Sequence, residues 1–333
     1  NKSKSFSAKG IMTIKTIIPL SYVPQQPKKL GDIHIMGFFT IVLLMVITIA
    51  GLLSFNTDHG YLVTNQYGND VRIFGYGMYA HDSYFKAPLI IGSDFTMLFL
   101  VVPMMTMALM KEMRSRTLKS KLSLTATTAV VLYYAASMVF GTSYNSFHLL
   151  YISLFSFSLF LLITLMARLD TRALQDSMTW VLPSRGIRIF LILSGIALFV
   201  AWLPDIIPTI QTGTSLPLIE VYTTEITYVL DMGILSPLMF VCLALLKKRN
   251  GLGIVILSII LTLCAVIGVM LPIQTVFQVL AGIAVPLPVL VTKVGIFVLL
   301  AAFAAFFSRK LNQSIIPVQK VALRLSTTSL QSN

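Results

Sequence analysis

Charge is scarce in this chain. Only 11% of its 333 residues are Asp, Glu, Lys or Arg, against about 25% in a soluble domain, so its surface is not built mainly for water. Acidic residues are scarcer still, 12 against 25 Lys and Arg, giving a formal charge of +13. There are two cysteines, Cys242 and Cys264, each inside an apolar run and outside any CxxC or Cys/His cluster. This excludes a disulfide scaffold and suggests no zinc or redox site. The chain contains no Walker loop, GxGxxG, HExxH, GxSxG or CxxCH string. ATP hydrolysis, dinucleotide binding, zincin or serine hydrolysis and c-type haem are therefore unsupported. No paired histidines at matched depth suggest b-type haem, and no cofactor or metal is expected. The first 35 residues are basic and proline-punctuated, unlike the short apolar core of a cleavable signal peptide.

What is present is hydrophobicity, 56% of residues, with mean hydropathy +0.86. A membrane-spanning helix needs about 20 mostly apolar residues. Eight stretches qualify: Met36–Phe55, Asp94–Met110, Leu122–Gly141, Phe147–Ala167, Ile187–Leu203, Ile226–Leu246, Leu252–Leu271 and Val289–Phe307. Pro204 and Pro208 are expected to close the fifth and Pro272 the seventh, while Pro286 and Pro288 precede the eighth. The second is the shortest and contains Pro103, which predicts a kink. The expected fold is an all-α, polytopic transmembrane bundle. It comprises an N-terminal segment (1–35), a membrane domain (36–307) with a long loop at 56–93 acting as a lid, and a tail (308–333).

The cations orient this bundle, because Lys and Arg are retained on the cytoplasmic side. The N-terminal segment holds six, the second-to-third loop five, the fourth-to-fifth connection four, the sixth-to-seventh three and the tail four. Twenty-two of 25 thus fall on alternate segments, with Arg72 and Lys86 opposite and Lys293 inside the last span. Topology accounts for the basic balance without nucleic acid, and both termini are expected to be cytoplasmic. Asp58, Asp70, Asp82, Asp94, Asp205, Glu220 and Glu225 gather in the outer segments or at their edges. They make either a solvated face or a shallow field that concentrates cations. At the N-terminus, Ile11, Ile14, Ile17 and Ile18 with Lys9 and Lys15 suggest a short helix lying on the inner leaflet.

Ionisable residues inside the membrane are the leading functional candidates, since desolvating a charge is costly. Asp231 lies shortly inside the sixth span and Lys293 shortly inside the eighth. Both enter from the outer side, so the two sit at similar depth and are candidates for a gate pair. Snorkelling of Lys293 to the headgroups and local capping by Asp231 are the structural alternatives. Asp94, after Gly92-Ser93, reads as an N-cap. Asp205 follows Trp202-Leu203-Pro204 and suits the interface. Asp94, Asp205, Glu225 and Asp231 are candidates for one vestibule. Tyr133, Tyr134 and Ser137 precede a short outer hairpin, Thr142 to Phe147, with Asn145 inside it and His148 beyond. The His/Asp pairs Asp58-His59 and His81-Asp82, and the methionines of the second span, fit interfacial and core packing better than metal ligation.

Several strings are similar to a family of bacterial multi-span membrane proteins of unassigned function. They are Leu132-Tyr133-Tyr134 through Phe140-Gly141, Tyr144-Asn145-Ser146-Phe147-His148-Leu149-Leu150-Tyr151, Trp202-Leu203-Pro204-Asp205-Ile206-Ile207-Pro208, and Val229-Leu230-Asp231-Met232-Gly233. Asp205 and Asp231 match the family pattern, whereas Thr223-Thr224-Glu225 stands where it often carries Thr-Asn-Pro. The resemblance implies a prokaryotic cytoplasmic membrane and the bundle architecture, but brings no activity. Three functions fit: a small-solute permease or binding protein opening on an acidic outer face, an accessory subunit packed against partner membrane proteins, and an intramembrane enzyme using Tyr133, Asn145, His148, Asp205 or Asp231.

Overall fold

The structure, a computed structural model, describes residues 31–177, 185–216, 218–287 and 290–315. The expected inner-leaflet helix and most of the tail lie outside these residues. Eight helices are long and apolar enough to cross a membrane. They are α1 (Asp32–Leu53), α2 (Lys86–Ser115), α3 (Leu118–Gly141), α4 (His148–Ala167), α5 (Arg185–Thr212), α6 (Ile226–Lys247), α7 (Gly251–Leu280) and α8 (Ile296–Ser314). The all-α architecture holds, with one addition: the long loop carries a small antiparallel hairpin of β1 (Tyr61–Thr64) and β2 (Asp70–Ile73). The helix ends near this hairpin form the hairpin end of the bundle. The opposite end carries the basic connections, where Arg168 reaches Asp32 at 3.2 Å.

Several boundaries differ from the sequence reading: α8 covers Ile296–Ser314 rather than Val289–Phe307, and three further differences bear on the site. Helix α2 begins at Lys86, not Asp94, so the loop is shorter than 56–93 and the second span is among the longest. Pro88 falls in its first turn, where a missing N–H costs nothing. Gly92 lies mid-helix because a Cβ there would sit 2.5 Å from the Cα of Gln274; α2 and α7 meet backbone to backbone. Pro272 does not close α7, which continues to Leu280. Helix α5 breaks at Ala201-Trp202 and resumes over Leu203–Thr212 with Pro208 inside it.

Wide, π-type turns replace regular helix at Met97–Val101 in α2, Val229–Leu235 in α6 and Leu290–Gly295 leading into α8. Two have a cause in the sequence. A proline clashes with the carbonyl four residues before it, and Pro103 and Pro237 place that clash at Phe99 and Gly233, each inside a wide turn. The extra residue opens the ladder there. The kink expected at Pro103 is thus taken up by a widened turn.

Helix α3 is central: 72% of its membrane-length window is buried, against 22% for α8. It tolerates burial although its first half is rich in Ser and Thr, because the hydroxyls fold back on their own helix. Thr125, Thr127 and Thr128 donate to the carbonyls of Lys121, Ser123 and Leu124 at 2.8, 3.0 and 2.8 Å, so these three hydroxyls are satisfied within the helix. A capping box of Thr117 and Ser120 starts the helix, with the Ser120 hydroxyl donating to Glu112 at 2.5 Å. The remaining helices turn large apolar side chains outward, such as Phe38, Phe160, Phe303 and Phe306, as lipid contact requires.

Candidate functional site

At the hairpin end the connection between α5 and α6 is fastened to the long loop by polar contacts. The Asn65 side-chain amide donates to the Glu220 carbonyl at 2.8 Å. Ser83 donates through its hydroxyl to the Glu220 carboxylate, and its backbone N–H reaches the Tyr222 hydroxyl at 3.2 Å. That hydroxyl in turn donates to Asp82 Oδ1 at 2.9 Å, which also accepts the Ser143 N–H at 2.8 Å. Three separate connections therefore converge on Asp82. Its other oxygen, Oδ2, has no hydrogen-bond partner among the described residues. Burial pushes the Asp82 carboxyl up to about 6, against the pull of its Ser143 and Tyr222 hydrogen bonds. Glu220 is also raised, chiefly by burial, with the Ser83 hydrogen bond opposing.

Beneath this fastening lies a cavity of about 480 Å³. Its lining runs from the hairpin end down to Met97, Val130 and Leu263, near the middle of their helices. The rim holds the Lys86–Glu225 ion pair, both side chains 14% exposed, with the ammonium 4.1 Å above the Tyr222 ring. The walls are mainly apolar and aromatic, with Trp202 stacked on Tyr228 at 4.6 Å between centroids and 27° between planes. At depth, Asp231 contributes the one carboxylate. Its Oδ1 accepts from the Tyr133 hydroxyl at 2.9 Å and its Oδ2 from the Trp202 indole N–H at 3.1 Å. The wide turn Val229–Leu235 carries it, and it is 4% exposed.

The other sequence candidates are distributed around this site. Glu225 stands at the rim, and no shared vestibule includes all four acids. Asp205 is one step behind the wall, accepting from the Tyr228 hydroxyl at 2.9 Å. Asp94 is not an N-cap. It lies mid-helix, wholly buried, with Oδ2 accepting from Tyr79 at 2.6 Å and Oδ1 from Tyr134 at 2.5 Å. Gly51 of α1 presses against it so closely that a Cβ would stand 1.8 Å from Oδ2. Asn145 organises its own turn, accepting from the Phe147 N–H at 2.9 Å and donating to Tyr151 at 3.3 Å. His148 packs between Tyr144 and Tyr151, away from the cavity lining. The backbone of Lys293 belongs to the wide turn Leu290–Gly295, but its side chain, and so the proposed pairing with Asp231, lies outside the described residues.

Trp202, Tyr228 and Lys86 were not singled out as site residues from the sequence; Glu225 was, without its pairing to Lys86. Only Trp202 had a local cue, its place beside Pro204 and Asp205. Gln274 and Gln278, also in the lining, hold α7 to the start of α2: Gln274 donates to the Ser93 hydroxyl at 2.7 Å and Gln278 to the Phe85 carbonyl at 3.3 Å. Comparison of the chain with family models, curated proteins and solved structures finds no match.

Proposed function

We propose that this chain is a small-solute binding protein or permease of a prokaryotic cytoplasmic membrane, with the hairpin end outside and both termini inside. The observation that carries the reading is the cavity itself: a mostly apolar pocket reaching the middle of the helices, with the Asp231 carboxylate in its wall and an ion pair at its rim. Concave, apolar pockets with a few convergent polar groups are the usual form of small-molecule sites. Asp231 binds the solute, while Lys86 and Glu225 hold the rim. The gate pair of Asp231 and Lys293 belongs to this proposal. Asp231→Asn and Lys293→Met, made singly and together, test it, and a double variant no better than the singles uncouples the two charges. The enzyme reading is weaker, because His148 and Asn145 do not line the pocket that contains Asp231.

Access is the direct test. Ser137 lines the pocket, and a Ser137→Cys variant in a Cys242→Ala, Cys264→Ala background offers one thiol. A membrane-impermeant thiol reagent added outside intact cells is expected to label it. Labelling only from the cytoplasmic side overturns the orientation, and no labelling from either side overturns the pocket.

A further inference from the structure

The charge inventory of the cavity is uneven. Lys86 and Glu225 cancel at the rim, and among the described lining residues Asp231 is the remaining charge. Both of its hydrogen-bond donors, Tyr133 and Trp202, are neutral. They orient the carboxylate without discharging it, and each oxygen keeps acceptor capacity. Apolar walls strengthen the field of such a charge relative to water. The stacked Trp202 and Tyr228 rings also belong to this lining, and aromatic rings attract cations.

Three ligand classes meet this pocket differently. An anion is repelled by Asp231. A neutral solute gains only apolar contact. A bare metal ion needs several hard or imidazole ligands, and no group of three His, Cys, Asp or Glu suited to a metal occurs among the described residues. A cation with an apolar body gains on both counts. We infer that the ligand is a small organic monocation, its ammonium-type centre at Asp231 and its apolar body against Trp202, Tyr228 and the α7 wall. The inference rests on the solute-pocket reading and adds the ligand's charge and chemistry.

The test uses the full chain in mild detergent with Trp180→Phe, which leaves Trp202 as the one tryptophan of the two. The probes are tetraphenylphosphonium, tetraphenylborate and triphenylphosphine oxide, similar in bulk but cationic, anionic and neutral. Trp202 fluorescence is expected to change saturably with phosphonium, less tightly with the oxide, and not with borate. Asp231→Asn is expected to weaken phosphonium binding roughly 30-fold or more, the scale for removing one partner of a buried charge pair, and to leave the oxide unchanged. If the oxide and phosphonium bind wild-type protein equally, the charge inference is overturned while the pocket stands; this comparison needs no folded variant. If none of the probes perturbs Trp202, the pocket reading falls with it.

Discussion

Asp94 and Asp231 occupy matching places and have opposite surroundings. Each lies on a membrane-length helix at or just before a wide turn, and each accepts a hydroxyl from one of two consecutive tyrosines, Tyr134 and Tyr133. Asp94 is sealed. Tyr79 takes its second oxygen, Gly51 closes the space behind it, and the cavity does not reach it. Asp231 faces a cavity, its second donor being an indole that also lines that wall. A buried carboxylate joins elements when all its neighbours are protein, and becomes a site when one side of it is empty. Asp94 fastens the loop, α1, α2 and α3 to one point; Asp231 leaves room for a guest.

The sharpest way to break this contrast is truncation. Asp94→Ala orphans two buried hydroxyls and leaves a void, so it is expected to cost about 3 kcal/mol or more. Asp231→Ala is expected to cost about 1 kcal/mol, because Tyr133 and Trp202 turn to cavity water instead. Thermal unfolding in mild detergent measures both, and equal losses would erase the distinction.

Asp82 is intermediate, with one oxygen bonded and the other unpartnered among the described residues. Its pKa rises from 3.8 to about 6 on burial, so the folded chain holds this proton more tightly than the unfolded chain. Stability from this group is present at about pH 4 and is lost as pH rises through about 6, on the order of 2–3 kcal/mol at about 1.4 kcal/mol per pH unit. Denaturant unfolding across that range should show the decline, and Asp82→Asn should flatten it. An unchanged slope would show that burial does not hold a proton on Asp82.

Ion pairs extend the comparison to smaller effects. The Lys86–Glu225 pair, 14% exposed on both sides, is expected to show a coupling of about 1–2 kcal/mol in a Lys86→Met, Glu225→Gln cycle. Arg168 and Asp32, 50% and 80% exposed, should couple by less than about 0.5 kcal/mol. Reversal of that order would mean that burial at the rim does not govern the pair.

Hydropathy made the eight spans legible, since a window of apolar residues needs no knowledge of its neighbours. The alternation of basic segments fits the pairing of ends that the structure displays. What the sequence misassigned were positions decided by distant partners. Gly92-Ser93-Asp94 imitates a helix start, but the glycine serves a contact with Gln274 and the aspartate bonds Tyr79 and Tyr134. Pro272 imitates a stop, yet α7 runs through it. Asp231, Tyr133 and Trp202 each drew notice from the sequence, but nothing local says that residues 98 and 29 positions from the aspartate converge on its two oxygens. Lys86 read as a stray outer cation because its partner lies 139 positions away.

The seam at Gly92 bears on how the pocket can move. With backbones touching there, and Ser93–Gln274 and Phe85–Gln278 riveted across it, α2 and α7 behave as a single stave. Sliding one past the other would drive Gln274 into Gly92. Wide turns also interrupt regular helix at Val229–Leu235 in α6 and at Leu290–Gly295 before α8, away from that seam. A Gly92→Ala variant is expected to spoil the joint and push α2 and α7 apart.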